Sequence, residues 1–133
     1  MDWTYQGKEI DETVLDDYIG FVYQITNITN NRKYIGKKLL KFSRTKQVKG
    51  KKKRIKVDSD WKTYYGSSNA LKADVEVIGE DKFIREILQF CKTKGECSYV
   101  EAKLQFQYDV LKDRDAWYND HIWVRVHRTH LPK

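Results

Sequence analysis

Proline is almost missing from this 133-residue chain, and its single example, Pro132, stands at the end. With no Ser/Gly/Pro-rich stretch and no internal repeat, nothing marks a linker, so one continuous domain over residues 1–133 is expected. Cysteine is scarce as well. Cys91 and Cys97 lie six apart with no second pair and no His-x-x-His partner, which signals neither a zinc site nor a disulfide framework and leaves small buried thiols as the expectation. No stretch approaches the ~18 uninterrupted apolar residues of a membrane span. Met1-Asp2-Trp3-Thr4 also lacks the basic and apolar regions of a signal peptide. A soluble, cytoplasmic protein is expected.

What the chain does have is enough apolar material for one core, 40% hydrophobic and 14% aromatic residues, and a positive charge that is unevenly placed. Of the net +7, the segment Lys41 to Lys56 holds nine Lys/Arg and no acid. The remainder therefore carries slightly more acid than base. A near-neutral body with one concentrated cationic segment suits a polyanion such as a nucleic-acid backbone. The plainer alternative is a solvated loop.

Along the chain, Phe21-Val22-Tyr23-Gln24-Ile25 alternates around β-formers, Thr29-Asn30-Asn31-Arg32 is turn chemistry, and Lys33-Tyr34-Ile35-Gly36 resumes as a strand; together they predict a β-hairpin. Lys37 to Arg44 reads as a short helix. Beyond it, Val48, Ile55 and Val57 allow the basic insertion at about 45–58, centred on Gly50, to form a second hairpin or a mobile loop. Ser67-Ser68 can cap a helix through Leu71, Val75 and Ile78, with Gly79 as its stop. Phe83 to Cys91 reads as a largely buried third strand. Cys97, Val100, Leu104, Tyr108 and Leu111, spaced by three and four, mark one helix face with Glu101 beside it. The last stretch, Ile122 to Arg128 within a basic C-terminal segment 121–133, alternates as an edge strand or an extended basic tail.

Two strands each presenting a tyrosine, a turn between them, a glycine and an arginine eight residues on resemble the GIY-YIG nuclease superfamily. The first motif is Gly20-Phe21-Val22-Tyr23, with one extra residue before the tyrosine. The second is Tyr34-Ile35-Gly36, and the two tyrosines are eleven apart. Arg44 stands where the family has its catalytic arginine, Lys37 matches a lysine of its excision-repair members, Glu101 its metal-binding glutamate, and Asn119 its late asparagine. The stretch Asp60 to Leu71 and the Lys-rich insert are similar to small phage-encoded Seg-type members. The sequence departs at one place: where other members have a histidine or tyrosine a helical turn after the arginine, Val48 stands four residues past Arg44. Spacing alone does not choose between Tyr64 and Tyr65 as a replacement, and Tyr65 is carried as the subsidiary candidate.

The resemblance implies an α+β fold, a central three-stranded antiparallel sheet flanked by helices, and metal-dependent DNA cleavage of a homing or DNA-exclusion kind. Each residue type suits a demand of phosphodiester hydrolysis, which needs an activated water, charge neutralisation and leaving-group stabilisation. A tyrosine with a reference pKa near ~10 becomes a base only if nearby positive charge lowers that value. Tyr23 is the first choice, Tyr34 its partner, and Lys37, Arg44 and the metal the source of charge. Arg44 offers a permanently charged fork to a phosphate oxygen. Glu101 supplies one hard carboxylate, and one can suffice for Mg²⁺, with Mn²⁺ as a substitute. Asn119 is expected to fix geometry. DNA contacts are expected from Lys46, Lys49, Lys51, Lys52, Lys53, Arg54 and Lys56, by a monomer or a dimer formed transiently on DNA.

Taken singly, the tyrosines read as core aromatics, Arg44 as part of a basic run and Glu101 as a surface acid. Only their combination carries the site. His121, His127 and His130 lack a matched cluster of ligands and are assigned to phosphate contacts or solvent. Trp3, Trp61, Trp117 and Trp123 are assigned to the core. The rival reading is a DNA-binding protein that keeps the fold without turnover.

Overall fold

The computed structural model describes residues 2–132 and, within them, every side chain except those of Arg44 and Lys46. Trp3–Tyr5 (β1) and Lys8–Glu9 (β2) open the chain, followed by Gly20–Asn27 (β3), Arg32–Leu39 (β4), Lys41–Val48 (β5), Lys51–Asp58 (β6), helix Asn69–Ile78 (α1), Phe83–Cys91 (β7) and helix Lys94–Gln107 (α2). Five strands form one sheet in the order β2-β1-β7-β3-β4, and β5 and β6 form a separate two-stranded sheet. No helix among the described residues is long and apolar enough to cross a membrane.

The expected antiparallel triad is the middle and one edge of the large sheet, with β3 between β4 and β7. Asn27 closes the β3–β4 turn by accepting hydrogen bonds from the Thr29 amide and hydroxyl at 3.0 and 2.6 Å, and Asn31 takes the left-handed φ of 61° that asparagine tolerates. Strand alternation sends Phe21, Tyr23 and Ile25 into one core with Leu71 and Val75 of α1, and Val22 with Ile35 into a second core with Cys97 and Val100 of α2. β3 is therefore buried on both faces.

The sheet has two strands more than expected. β1 runs parallel to β7 and carries β2 on its outer side; strands of three and two residues are too short to show a period. The helix expected over Lys37 to Arg44 does not form, because β4 keeps its ladder to β3 as far as Leu39 opposite Gly20 and the chain re-enters extended structure as β5. β5 and β6 then pair along their whole length around Lys49 and Gly50, whose φ angles of 51° and 78° are those of a primed two-residue turn. The second hairpin is formed.

Ser68 caps α1, its hydroxyl accepting the Leu71 amide at 3.3 Å, and Gly79 ends it. The helical face read as far as Leu111 stops early. α2 ends at Gln107, Asp109 turns to a φ of 52°, Tyr108 and Leu111 are about half exposed, and Val110 is buried instead. Ile122 to Arg128 forms no strand and ends in a 3₁₀ turn at Arg128–His130. Trp3 and Trp61 are core residues, but Trp123 is 76% exposed, which corrects its assignment. Both cysteines are free and buried.

Candidate active site

Tyr23 and Tyr34 sit on neighbouring strands with ring centroids 6.2 Å apart, yet their environments differ. Tyr23 lies directly opposite Gly36, and a Cβ at Gly36 would stand 2.5 Å from the Tyr23 hydroxyl and 2.7 Å from the Tyr34 ring. Only glycine admits both rings. Tyr23 is fully buried among Trp3, Phe21 and Tyr64, and its hydroxyl makes no hydrogen bond of good geometry among the described residues. Burial first, then the neighbouring Tyr64 and Tyr34, pushes its pKa well above the ordinary tyrosine value. With no metal bound, desolvation decides the direction of the Tyr23 shift.

Tyr34 reaches open space. Its hydroxyl shares a 2.9 Å hydrogen bond with Ser67 at the start of α1, and it lines a cleft of about 380 Å³ together with Lys37, Glu101, Asn119, Asp120 and His121. Burial raises its pKa and the Ser67 bond partly offsets the rise. Lys37, three residues along β4, donates to Ser98 Oγ at 2.6 Å. Glu101, one turn further along α2, faces the same space; burial raises its pKa, while the charge and backbone N–H of Lys37 and the ring of His121 draw it back. A desolvated carboxylate beside an open cleft is a suitable ligand for a hard cation. Among the described residues no group of three His, Cys, Asp or Glu side chains converges on one point, so any ion here would complete its shell with water or substrate oxygens.

Asn119 builds the wall. Its side chain accepts from the Ile35 amide at 3.1 Å and donates to the Ile35 carbonyl at 2.8 Å, which satisfies the outer edge of β4 where a sixth strand would pair. Backbone bonds of 2.9 and 2.7 Å joining Lys33 to Ala116 and Tyr118 continue that seam. Gln105 of α2 adds a 2.9 Å bond to the Ile35 carbonyl. The tyrosine strand is thereby held from both sides.

Other predicted residues lie elsewhere. Arg44 is on β5 opposite Ile55, a strand position where a helix was expected, and its side chain, like that of Lys46, lies outside the described residues. Tyr65 is not brought to the cleft. It lines a separate recess with Asp60, Thr63 and Lys72, its ring under the Arg85 guanidinium at 4.2 Å, while Arg85 also donates to the Lys62 and Tyr64 carbonyls at 3.0 Å. Tyr64 packs edge-on against Tyr23. Lys49, Lys51, Lys52, Lys53, Arg54 and Lys56 are all exposed on the β5–β6 hairpin. Ser67, read in the sequence as a helix cap, and His121, assigned to phosphate contacts or solvent, both line the cleft, and Gln105, Tyr118 and Asp120 line it without having been singled out for the site. His121 shares a 2.6 Å contact with Asp120, and its place two residues after Asn119 was the available signal.

The family model described as "Putative endonuclease segE, GIY-YIG domain" matches residues 3–122. Neither the curated proteins nor the solved structures compared with the chain give a match. The matched span takes in both tyrosine motifs, the basic hairpin, α2 and the Asn119 seam, and on it the chain belongs to the SegE GIY-YIG endonuclease family.

Proposed function

We propose that this chain is a metal-dependent DNA endonuclease that hydrolyses one phosphodiester bond per visit in the Tyr34 cleft. The observation that carries the reading is the convergence of Tyr34, Lys37 and Glu101 on one open space in a member of an endonuclease family. Tyr34 is the hydroxyl that meets the attacking water, because it alone of the motif tyrosines lines the cleft. As the phenolate, its own proton already lost to solvent, the Tyr34 oxygen takes a proton from the water, the water oxygen forms the new bond to phosphorus, and the bond to the 3′-oxygen breaks as that oxygen takes a proton from solvent. Lys37 sets positive charge beside the reacting phosphate, and Ser67 orients the Tyr34 hydroxyl. Arg44 is assigned to a phosphate oxygen on the family resemblance, and Asn119 to holding β4 in place. Glu101 would hold Mg²⁺ or Mn²⁺, which when bound would neutralise charge on the phosphate and the leaving oxygen. Tyr23 is reassigned from base to support: buried under Gly36, it keeps the Tyr34 ring in position.

A supercoiled plasmid incubated with purified protein should be nicked with Mg²⁺ and left intact with EDTA, and Arg44→Ala and Glu101→Ala should each abolish nicking. Metal-independent nicking, or equal nicking by the variants, would refute the mechanism. The second reading, a DNA-binding protein without turnover, is favoured by Val48 at the lost histidine/tyrosine position and by the absence of Tyr65 from the cleft lining. It predicts tight binding with no metal-stimulated nicking at all. A role in homing or in exclusion of rival DNA belongs to the same proposal, and mapping cut sites on a phage genome separates one long unique site from many short ones.

A further inference from the structure

Among the described residues the β5–β6 hairpin joins no other strand of the fold and meets the body only near its base, where Phe42 lies under the Lys38 ammonium. Its strands pair only with each other, none of their residues belongs to either core, and the Lys41–Asp16 pair at 3.7 Å is the one ion pair that ties it to the body among the described residues. A lone two-stranded ribbon is marginally stable in water, so eight-residue strands held out from the domain call for something to lie against. The register sorts its side chains. Ser43, Thr45 and Gln47 lie opposite Lys56, Arg54 and Lys52, which puts all six on one face. All six are exposed and none has a hydrogen-bond or ion-pair partner among the described residues; Ser43 and Lys56, at the base of the ribbon, also line a recess with Asp16, Asp17 and Lys94 of the body. The other face carries Phe42, Val48, Ile55 and Val57 between the register positions of Arg44, Lys46, Lys51 and Lys53, and Ile55 and Val57 are half-buried.

We propose that the β5–β6 ribbon inserts into the major groove of B-form duplex DNA with the Thr45, Gln47, Lys52 and Arg54 part of the polar face towards the base edges. The proposal rests on the endonuclease reading for its partner and adds to it the element and the groove. Paired strands ~5 Å apart make a ribbon that the ~12 Å major groove of B-DNA admits and the ~6 Å minor groove does not. Arginine and lysine can address guanine N7 and O6, glutamine adenine N7 and N6, and threonine or serine either base, so the face carries donors and acceptors of the type that reads base edges. Lys49, Lys51 and Lys53 at the tip and on the opposite face remain for the phosphates on either side. Double-stranded RNA is disfavoured because its major groove is too deep and narrow for side chains to read.

The test uses the full chain carrying Glu101→Gln, in EDTA, so that binding is read without cleavage. Duplexes with bulky C5 substituents on their pyrimidines, which fill the major groove, should bind about tenfold or more weakly. A minor-groove filler such as netropsin should leave affinity unchanged, and bound protein should protect guanine N7 from methylation. Thr45→Ala/Gln47→Ala/Arg54→Ala should remove that protection while melting at the parent temperature. Competition by netropsin, indifference to the C5 substituents, or equal affinity for double-stranded RNA of the same sequence would each overturn the inference; the first two arms need no hairpin variant. Wild-type protein with Mg²⁺ on the same duplexes separates the two claims. Major-groove binding without cutting sinks the endonuclease reading alone, and cutting without major-groove binding sinks the ribbon alone.

Discussion

Glu101 is a carboxylate held partly out of water, and its raised pKa means that the folded chain binds a proton there more tightly than the unfolded chain. Stability therefore falls as pH rises from the ordinary carboxylate range through the elevated folded value. Glu101→Gln, which is never charged, should flatten that part of the stability profile and melt no lower than wild type near neutral pH in the absence of metal. Nicking should nevertheless fall on the order of 10²–10³-fold. Melting curves across pH beside plasmid nicking check both halves, and a variant that loses stability and activity together would make Glu101 a structural residue. The tyrosines divide similarly. Tyr34→Phe should lower the nicking rate by ~10²-fold or more and remove its rise towards alkaline pH, the direction set by a tyrosine whose pKa burial has raised. Tyr23→Phe removes a buried hydroxyl without a well-placed partner, so it should keep activity and change stability by no more than about 1 kcal/mol in either direction. Loss of nicking in Tyr23→Phe with Tyr34→Phe active would reverse the assignment. At this scale the residues were legible in the motifs but their division of labour was not, because both tyrosines are strand residues of the same type and only burial separates them.

Among elements, the β3–β4 hairpin depends on Gly36. Gly36→Ala places a methyl against the Tyr23 hydroxyl and the Tyr34 ring, and should cost about 1–3 kcal/mol as an overpacked core does, read as a lowered midpoint in urea. The β5–β6 hairpin depends on charge. Replacing Lys51, Lys52, Lys53 and Arg54 by neutral residues should flatten the salt dependence of DNA binding by up to ~0.9 per lost phosphate contact, and an unchanged slope would remove the hairpin from the interface. β3, β4, β7 and α1 were legible because alternation, Asn-rich turn chemistry and Ser68 and Gly79 are local signals. The stretch from Lys37 to Arg44 was not: Leu39, Leu40 and Phe42 suit a helix or a strand equally, and pairing with Gly20 on one side and with β6 on the other decided for strand.

The proposed mechanism has the Tyr34 cleft cut one strand per encounter. At low protein concentration, nicked circles should accumulate on a gel before linear plasmid appears; linear product from the first turnover would require a preformed dimer. The amino-acid sequence by itself determined the family, the order of the tyrosine, glycine and glutamate landmarks and the concentration of charge between Lys41 and Lys56, because motif spacing and charge are properties of the chain that need no partner. Tertiary structure alone decided which side chains share a cavity. The Asn119 seam on β4 and the packing of α2 bring Ser67, Glu101 and His121 to Tyr34 across 33 to 87 positions of sequence, while Arg85 holds Tyr65 in a recess of its own. Such contacts depend on strand register and on burial on both faces of β3, neither of which any local stretch of sequence encodes.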